Sequence, residues 1–252
     1  MVGMELTREL IRHDPAAPRL TIYNDRAGTR LDFSAQTLDN WAAKVGNMLY
    51  EELDADQDTT VVICLPVQWQ TVTVALGCYA AAVQWDVVPY TAAATTAQEV
   101  LAGEPDIVFC PVQLARELLE ADFAGDIAVV TEDPFGRGAG ELGEDVPDGA
   151  IDFGPTVRFF GDDFPYTTPT LRAAVAADGA APAASTPLPP HDAPGANPRC
   201  LTVGWTDKTS LLQRVLLPLA NLGSVVVVAH PVTAERLQAI ATAERVSPAA
   251  IF

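Results

Sequence analysis

The stretch "VVICLPVQWQTVTVALGCYAAAVQWDVVPY", residues 61–90, contains two apolar runs separated by a segment of helical length. The first run is too uniformly apolar for a half-exposed strand, which is typical of a parallel strand covered on both faces. After Pro66, residues 69–82 are apolar on nearly every side and predict a buried helix. A strand, a helix and a strand in this order predict a right-handed crossover within an α/β fold.

The same alternation surrounds this stretch. Residues 34–53, "SAQTLDNWAAKVGNMLYEEL", carry apolar side chains at a three-and-four spacing and predict an amphipathic helix. Further apolar runs complete a set of five predicted core strands, at residues 59–65, 106–110, 126–131, 200–205 and 224–229. We therefore expect an α/β fold in which these strands form one mostly parallel sheet with helices on both faces.

Two stretches interrupt the alternation. Residues 133–149 are acidic and Gly-rich, and residues 173–198 are Ala- and Pro-rich. Neither holds enough large apolar residues to pack, so both are predicted to be mobile surface loops. Because the strands on either side are expected to join the same sheet, we predict a single domain over residues 1–252.

Charge and hydropathy limit the classes of partner. The chain carries 33 acidic and 15 basic residues and a net charge of -18, and such a surface repels nucleic acid and anionic membranes. We therefore predict neither as a partner. No uncharged apolar run reaches the roughly 20 residues that span a bilayer, and the nearest, around residues 71–83, is too short. The charged N-terminus has no export signal, so a cytoplasmic location is expected.

Four cysteines lie in apolar stretches, at Cys64, Cys78, Cys110 and Cys200. They form no CxxC pair and have no neighbouring His pattern, so buried, reduced thiols are expected rather than a metal site.

Two segments resemble phosphate-binding motifs only superficially. "GAGELG", residues 138–143, has the glycine spacing of a dinucleotide-binding loop, but no helical pattern follows and Glu141 would repel a phosphate. "GWTDKTS", residues 204–210, places a lysine and a threonine between a strand and a helix, but it lacks the first glycine and the spacing of a phosphate loop. We interpret both as coincidences.

Position in the predicted sheet nominates another set of residues. Ligands of open α/β sheets bind at the carboxyl ends of the strands, and six polar or aromatic residues follow predicted strands there: Gln68, Trp69, Thr206, Asp207, Lys208 and His230. They are candidate ligand-binding residues, and the sequence predicts neither a catalytic nor a metal-binding set.

The order of elements resembles the adenylate-forming acyl-CoA synthetases. Residues 19–49 resemble their opening hairpin and helix, residues 60–90 and 95–110 their next strand and helix units, and residues 211–252 a later helix, strand and helix. The resemblance covers most of the chain in order. It implies that the α/β fold corresponds to the N-terminal subdomain of these enzymes.

The resemblance also implies which ATP-binding segments of the family are missing here. The family places a Ser/Thr/Gly-rich loop ending in Pro-Lys-Gly between these blocks, to hold the phosphates of ATP. Here "FFGDDFPYTTPTLRAAVAADG", residues 159–179, stands in its place, and Tyr166, Thr167 and Thr168 are candidate remnants of the loop and candidate ligand-binding residues. The loop glycines that let backbone amides reach a phosphate are absent, as is the lysine, and the family's later adenine-, magnesium- and ribose-binding segments have no counterpart before Phe252.

The leading hypothesis is therefore a non-catalytic protein that binds a small ligand or a protein partner, with no cofactor expected. The alternative is an acyl-adenylating or acyl-CoA-binding component completed by another chain, which would use ATP, AMP or CoA. A third hypothesis, an NAD-dependent oxidoreductase, depends on fold analogy alone. The closing segment resembles half of a core strand. Two alternatives follow: a homodimer through Ile251 and Phe252 covers the strand edge, or this segment packs between helices of its own chain and the protein is a monomer.

Overall fold

The computed structural model describes residues 4–91, 95–179, 197–230 and 232–247. The chain divides into two compact units, a first unit of Met1–Asp39 with Pro169–Phe252 and a second unit of Asn40–Thr168. The predicted dimer contact at Ile251 and Phe252 lies outside the described residues. The prediction of one domain over the whole chain stays a prediction.

The helices and strands are numbered here in chain order. The strands are β1 Pro18–Asn24, β2 Thr29–Ser34, β3 Thr60–Ile63, β4 Gln84–Val87, β5 Ile107–Cys110, β6 Asp126–Val129, β7 Ala150–Asp152, β8 Arg199–Thr202 and β9 Ser224–Val228. The helices are α1 Arg8–His13, α2 Ala35–Glu51, α3 Trp69–Ala81, α4 Ala97–Leu101, α5 Val112–Glu120, α6 Phe153–Val157, α7 Leu171–Ala177, α8 Lys208–Leu211, α9 Leu217–Ala220 and α10 Ala234–Ala243. A 3₁₀ turn spans Gly140–Leu142, and a π-helical segment, Leu212–Leu216, joins α8 to α9.

The second unit contains a five-stranded sheet in which every pair is parallel. Its order is β4-β3-β5-β6-β7. β5 occupies its centre, between β3 and β6, and is buried along its whole length. This sheet confirms the parallel crossovers that the apolar runs predict.

Helix α3 covers this sheet and is itself enclosed, since all 13 of its residues are buried. Its polar side chains are hydrogen-bonded inside the unit. Thr71 Oγ1 donates to Pro66 O over 2.9 Å, and Gln70 Nε2 donates to the carbonyls of Thr131 and Asp133 over 3.2 and 3.1 Å. Such bonds compensate the desolvation that burial of these groups costs.

The first unit contains a four-stranded mixed sheet of order β2-β1-β9-β8. β1 and β2 form an antiparallel hairpin, whereas β1 pairs with β9 and β9 with β8 in parallel. The α/β class with mostly parallel sheets flanked by helices is confirmed.

The prediction of a single sheet is wrong, because β8 and β9 belong to the sheet of the first unit. β9 pairs there with β1, which is buried over residues 19–23 and aligns Leu20 with Val225, and β8 pairs with β9. A strand that is apolar on both faces fits the centre of either sheet, so composition alone does not select its neighbours.

The two predicted loops also differ from expectation. Part of the stretch 133–140 does pack, since Asp133 and Ala139 are buried. The predicted mobility of residues 133–149 stays a prediction. The stretch 173–198 begins inside helix α7, and its residues 180–196 lie outside the described residues. Among the helices that the structure describes, none is long and apolar enough to cross a membrane.

Candidate ligand-binding site

The topology of the second unit marks one position at the carboxyl edge of its sheet. The chain leaves β3 through α3 towards β4 on one side, and leaves β5 through α5 towards β6 on the other. The connections therefore diverge between β3 and β5. In open α/β sheets, a crevice for ligands forms outside the carboxyl ends of the strands at such a switch point.

Gln68 lies at this position, between β3 and α3. It is the residue before the first turn of α3, has extended backbone, and its side chain does not cap the helix. The residue is 7% exposed. Neither its Oε1 nor its Nε2 has a hydrogen-bond partner among the described residues. A buried amide without partners costs about 1–3 kcal/mol, so Gln68 is the predicted site residue with an unmet bonding capacity.

The neighbouring Trp69 has a structural role. Its indole lies 4.7 Å from the Trp41 ring, centroid to centroid, and its Nε1 donates to Pro134 O over 3.2 Å. Gly136, at φ +71°, lies so close that an added Cβ would be 3.1 Å from Trp69 Cζ2. These contacts fix the first turn of α3, and with it the position of Gln68.

Tyr166, Thr167 and Thr168 lie elsewhere in the second unit. The Tyr166 ring is half exposed and packs edge-on against Tyr50, with centroids 4.9 Å apart. Phe164 completes this aromatic cluster at 5.1 Å from Tyr166. Thr167 is exposed, whereas Thr168 is 4% exposed and buried.

The turn before these residues is attached to α2. Lys44 Nζ donates to Phe160 O over 2.6 Å and pairs with Asp162 over 2.9 Å. Asn47 Nδ2 donates to the carbonyls of Gly161 and Asp163. The segment that the resemblance aligns with a phosphate loop thus presents the Phe160 carbonyl and the Asp162 carboxylate to the Lys44 cation.

The other predicted residues lie in the first unit. Asp207 caps α8, where its Oδ1 accepts from Ser210 N over 2.7 Å, and this hydrogen bond lowers the pKa of Asp207. Lys208 forms an ion pair with Asp178 at 3.0 Å, and Thr206 N donates to Ser210 Oγ. His230 is half-buried beyond the end of β9. The structure brings Thr206, Asp207 and Lys208 together at the start of α8.

The four cysteines are free and buried, which confirms their predicted burial. Burial raises the pKa of the Cys64 thiol to about 12 and that of Cys200 to about 11. Within the described part of the chain, no group of three or more His, Cys, Asp or Glu side chains is arranged to hold a metal ion.

The glycine-rich segment that resembles a dinucleotide loop binds a carboxylate of its own chain. The amides of Ala139 and Gly140 donate to the two carboxylate oxygens of Asp152, each over 3.0 Å. Gly138 N donates to Glu141 Oε2 over 2.8 Å. A Cβ at Gly138 would lie 2.4 Å from both Asp152 oxygens. The sequence pattern detects these amides, but the distant Asp152 that occupies them has no local signal.

Replacing Asp152 by alanine is expected to lower the free energy of unfolding by about 2 kcal/mol, the usual size for hydrogen bonds to a charged group. Urea unfolding measures this change, and added formate should recover part of the loss by binding the freed amides. Exposed Asp148 is the control, and Asp148→Ala should leave stability unchanged. Equal stability of the two variants would contradict a structural role for Asp152.

Comparison with known proteins identifies this fold. No protein-family model matches the chain. The crystal structure of Brucella canis acyl-CoA synthetase matches 99% of this chain with a TM-score of 0.71 and 16% sequence identity. The chain spans about half of that protein, 47% of its length. At this identity the match establishes the fold, which is that of part of an acyl-CoA synthetase.

A closer relative in sequence occurs in Mycobacterium tuberculosis. It is a TIGR03089 family protein, 36% identical over 249 residues that cover 92% of this chain and 91% of the relative. Identity at this level over nearly the full length of both chains establishes common membership. The chain belongs to the TIGR03089 family.

Proposed function

We propose that this protein is a non-catalytic member of the acyl-CoA synthetase fold that binds a small polar molecule at the carboxyl ends of β3 and β5. The observation that carries the proposal is the buried Gln68 amide, which has no partner among the described residues and lies at the switch point of the sheet. A ligand that bonds to this amide would recover the free energy that its burial costs.

The chemistry of the position suggests the kind of ligand group. An amide side chain offers an acceptor oxygen next to two donor hydrogens. The first amides of a helix have no partner within the helix and carry partial positive charge, and α3 begins directly after Gln68 without a side-chain cap. We expect a planar polar group that presents an acceptor beside a donor, such as a carboxamide or a carboxylic acid.

The environment of the two lysines supports the non-catalytic part of the proposal. Lys44 and Lys208, the lysines of the sequence, pair with Asp162 and Asp178. Adenylyl transfer depends on cations and amides that neutralise phosphate charge. Here each ammonium group already has a carboxylate partner within its own unit.

Exchange of labelled pyrophosphate into ATP tests this part. With a panel of carboxylic acids, the isolated chain is expected to give only the background rate, and Lys208→Ala should give the same rate. Exchange above background that Lys208→Ala abolishes would contradict the proposal. That result would favour the alternative of an acyl-adenylating component completed by another chain.

Thermal unfolding with added compounds tests the ligand site. A compound that binds the native state raises its melting temperature, and ATP, AMP, CoA, acyl chains, small carboxamides and NAD are the probes. We expect any stabilising probe to lose its effect in Gln68→Met and to keep it in Gln113→Met, which changes an exposed glutamine. A shift that persists in Gln68→Met would contradict the site, and a shift with NAD alone would favour an oxidoreductase.

A further inference from the structure

Three large apolar side chains of the second unit are directed into solvent. Phe159 is 90% exposed, Phe135 72% and Leu142 38%. Single exposed apolar residues are ordinary on protein surfaces, but a contiguous apolar patch marks an interaction site. The three residues therefore indicate an interaction site only if they lie close together.

Contacts of the neighbouring residues bring the segments that carry these side chains together. Arg158, next to Phe159, donates to Glu141 Oε2 over 2.6 Å and to Gly136 O over 3.5 Å. Gly136 directly follows Phe135, and Glu141 directly precedes Leu142. A Cβ at Gly154 would lie 2.6 Å from Gly136 O, so α6 lies directly against this segment. We call the three exposed side chains the Phe159 surface.

The Phe159 surface includes a recess. Pro155, Arg158 and Phe159 line an open cavity of about 280 Å³. An exposed aromatic ring and an arginine at one recess have the composition that protein interfaces favour at their centres.

Charge around the Phe159 surface is negative. Its two arginines are neutralised, because Arg137 pairs with Asp133 and Arg158 with Glu141. Exposed acidic side chains also flank residues 133–142 in sequence, namely Glu132, Glu144, Asp145 and Asp148. Arg116 donates to the Asp145 carbonyl over 2.9 Å. A cationic partner complements this border, whereas an anionic membrane or a second copy of this chain, with its net charge of -18, would be repelled.

The area of the surface limits the size of the partner. With the usual 150–250 Å² per aromatic side chain, the three side chains expose on the order of 400 Å². A stable dimer buries about 800 Å² on each partner, so this surface suits a short segment. We propose that the Phe159 surface docks a cationic segment of a partner protein that carries large apolar side chains. This proposal is independent of the ligand site at Gln68.

Fluorescence anisotropy with two labelled peptides tests the proposal. The probe is an amphipathic helical peptide of leucine and lysine, and its counterpart replaces every lysine by glutamate. We expect micromolar binding of the lysine peptide and at least about tenfold weaker binding to the double variant Phe135→Ser/Phe159→Ser. The matched control is Val203→Ser, which removes a half-exposed apolar side chain from the first unit and should leave the affinity unchanged.

Several results would overturn the proposal. They are no binding of the lysine peptide, equal binding to the wild type and the double variant, or equal binding of the glutamate peptide. Light scattering tests whether a second copy of this chain occupies the surface. Sedimentation with phosphatidylglycerol vesicles tests whether a membrane does. A wild-type dimer that Phe159→Ser dissociates would assign the surface to a second copy, and vesicle binding that Phe159→Ser abolishes would assign it to a membrane.

Discussion

Replacing Glu244 by glutamine is expected to lower the free energy of unfolding by about 3 kcal/mol, the equivalent of its pKa shift. The Glu244 side chain is 8% exposed and ends helix α10. Its carboxylate accepts from Tyr23 Oη over 2.6 Å and from Arg30 Nε over 2.7 Å, and it also pairs with Arg199. The neutral variant leaves two guanidinium groups without this shared anion, which is strongly destabilising.

The stability that Glu244 contributes depends on pH in a defined direction. Burial raises the pKa of Glu244, but hydrogen bonds from Arg30, Tyr23 and Arg199 outweigh it and lower the pKa from 4.5 to about 2. Because the folded state has the lower pKa, the contribution is complete above pH 4.5 and is lost as pH falls towards 2. The difference in stability between wild type and Glu244→Gln should therefore shrink over this range.

Urea unfolding at a series of pH values measures this difference. The control is Asp25→Asn, because Asp25 pairs with Arg236 at 2.8 Å but the pair is well exposed. Exposed pairs contribute little, so this variant should unfold like the wild type. Two results would contradict the role assigned to Glu244: a similar loss of stability in the two variants, or a loss of stability in Glu244→Gln that does not change with pH.

Replacing Gly77 by alanine is expected to lower the free energy of unfolding by about 3 kcal/mol, at the upper end for overpacking a core. A Cβ at Gly77 would lie 2.3 Å from Val45 Cγ1 and 2.5 Å from Val45 Cβ. Val45 is fully buried in α2, and its β-branched side chain has little rotamer freedom. One of the two helices, α2 or α3, must therefore move. This movement would also displace the start of α3 at Gln68.

Gly103→Ala is the matched control for this substitution. The nearest atom to a Cβ at Gly103 is Val100 O at 3.6 Å, an ordinary contact distance. This variant should keep wild-type stability in urea, whereas Gly77→Ala should unfold at lower denaturant concentration. Equal urea midpoints for the two variants would contradict the close approach of α2 and α3 at Gly77.

Local pattern predicts much of the secondary structure. The three-and-four spacing of residues 34–53 corresponds to α2, and the apolar segment after Pro66 to α3. The five predicted strands all form within a few residues of their expected bounds. These elements depend on neighbours in sequence, so their signals are contained in short windows.

Pairing between distant strands had no such signal. The register of β1 with β9 joins residues more than 200 positions apart, such as Leu20 and Val225, and uniformly apolar strands do not specify it. The contact between Asp152 and the glycine-rich amides is likewise non-local. The strand-end rule nominates Gln68, but its unmet hydrogen bonds become visible only once the surrounding side chains are placed.

The proposed ligand site is tested most directly by the stability of Gln68→Met in the absence of any ligand. If the amide is kept for a ligand, its removal relieves an unpaired buried group and should raise the free energy of unfolding by about 1 kcal/mol. Gln70→Met is the control, because the Gln70 amide is buried and hydrogen-bonded to Thr131 O and Asp133 O, and its loss should destabilise. A Gln68→Met variant destabilised as much as Gln70→Met would show that the Gln68 amide serves the fold, and would contradict the site.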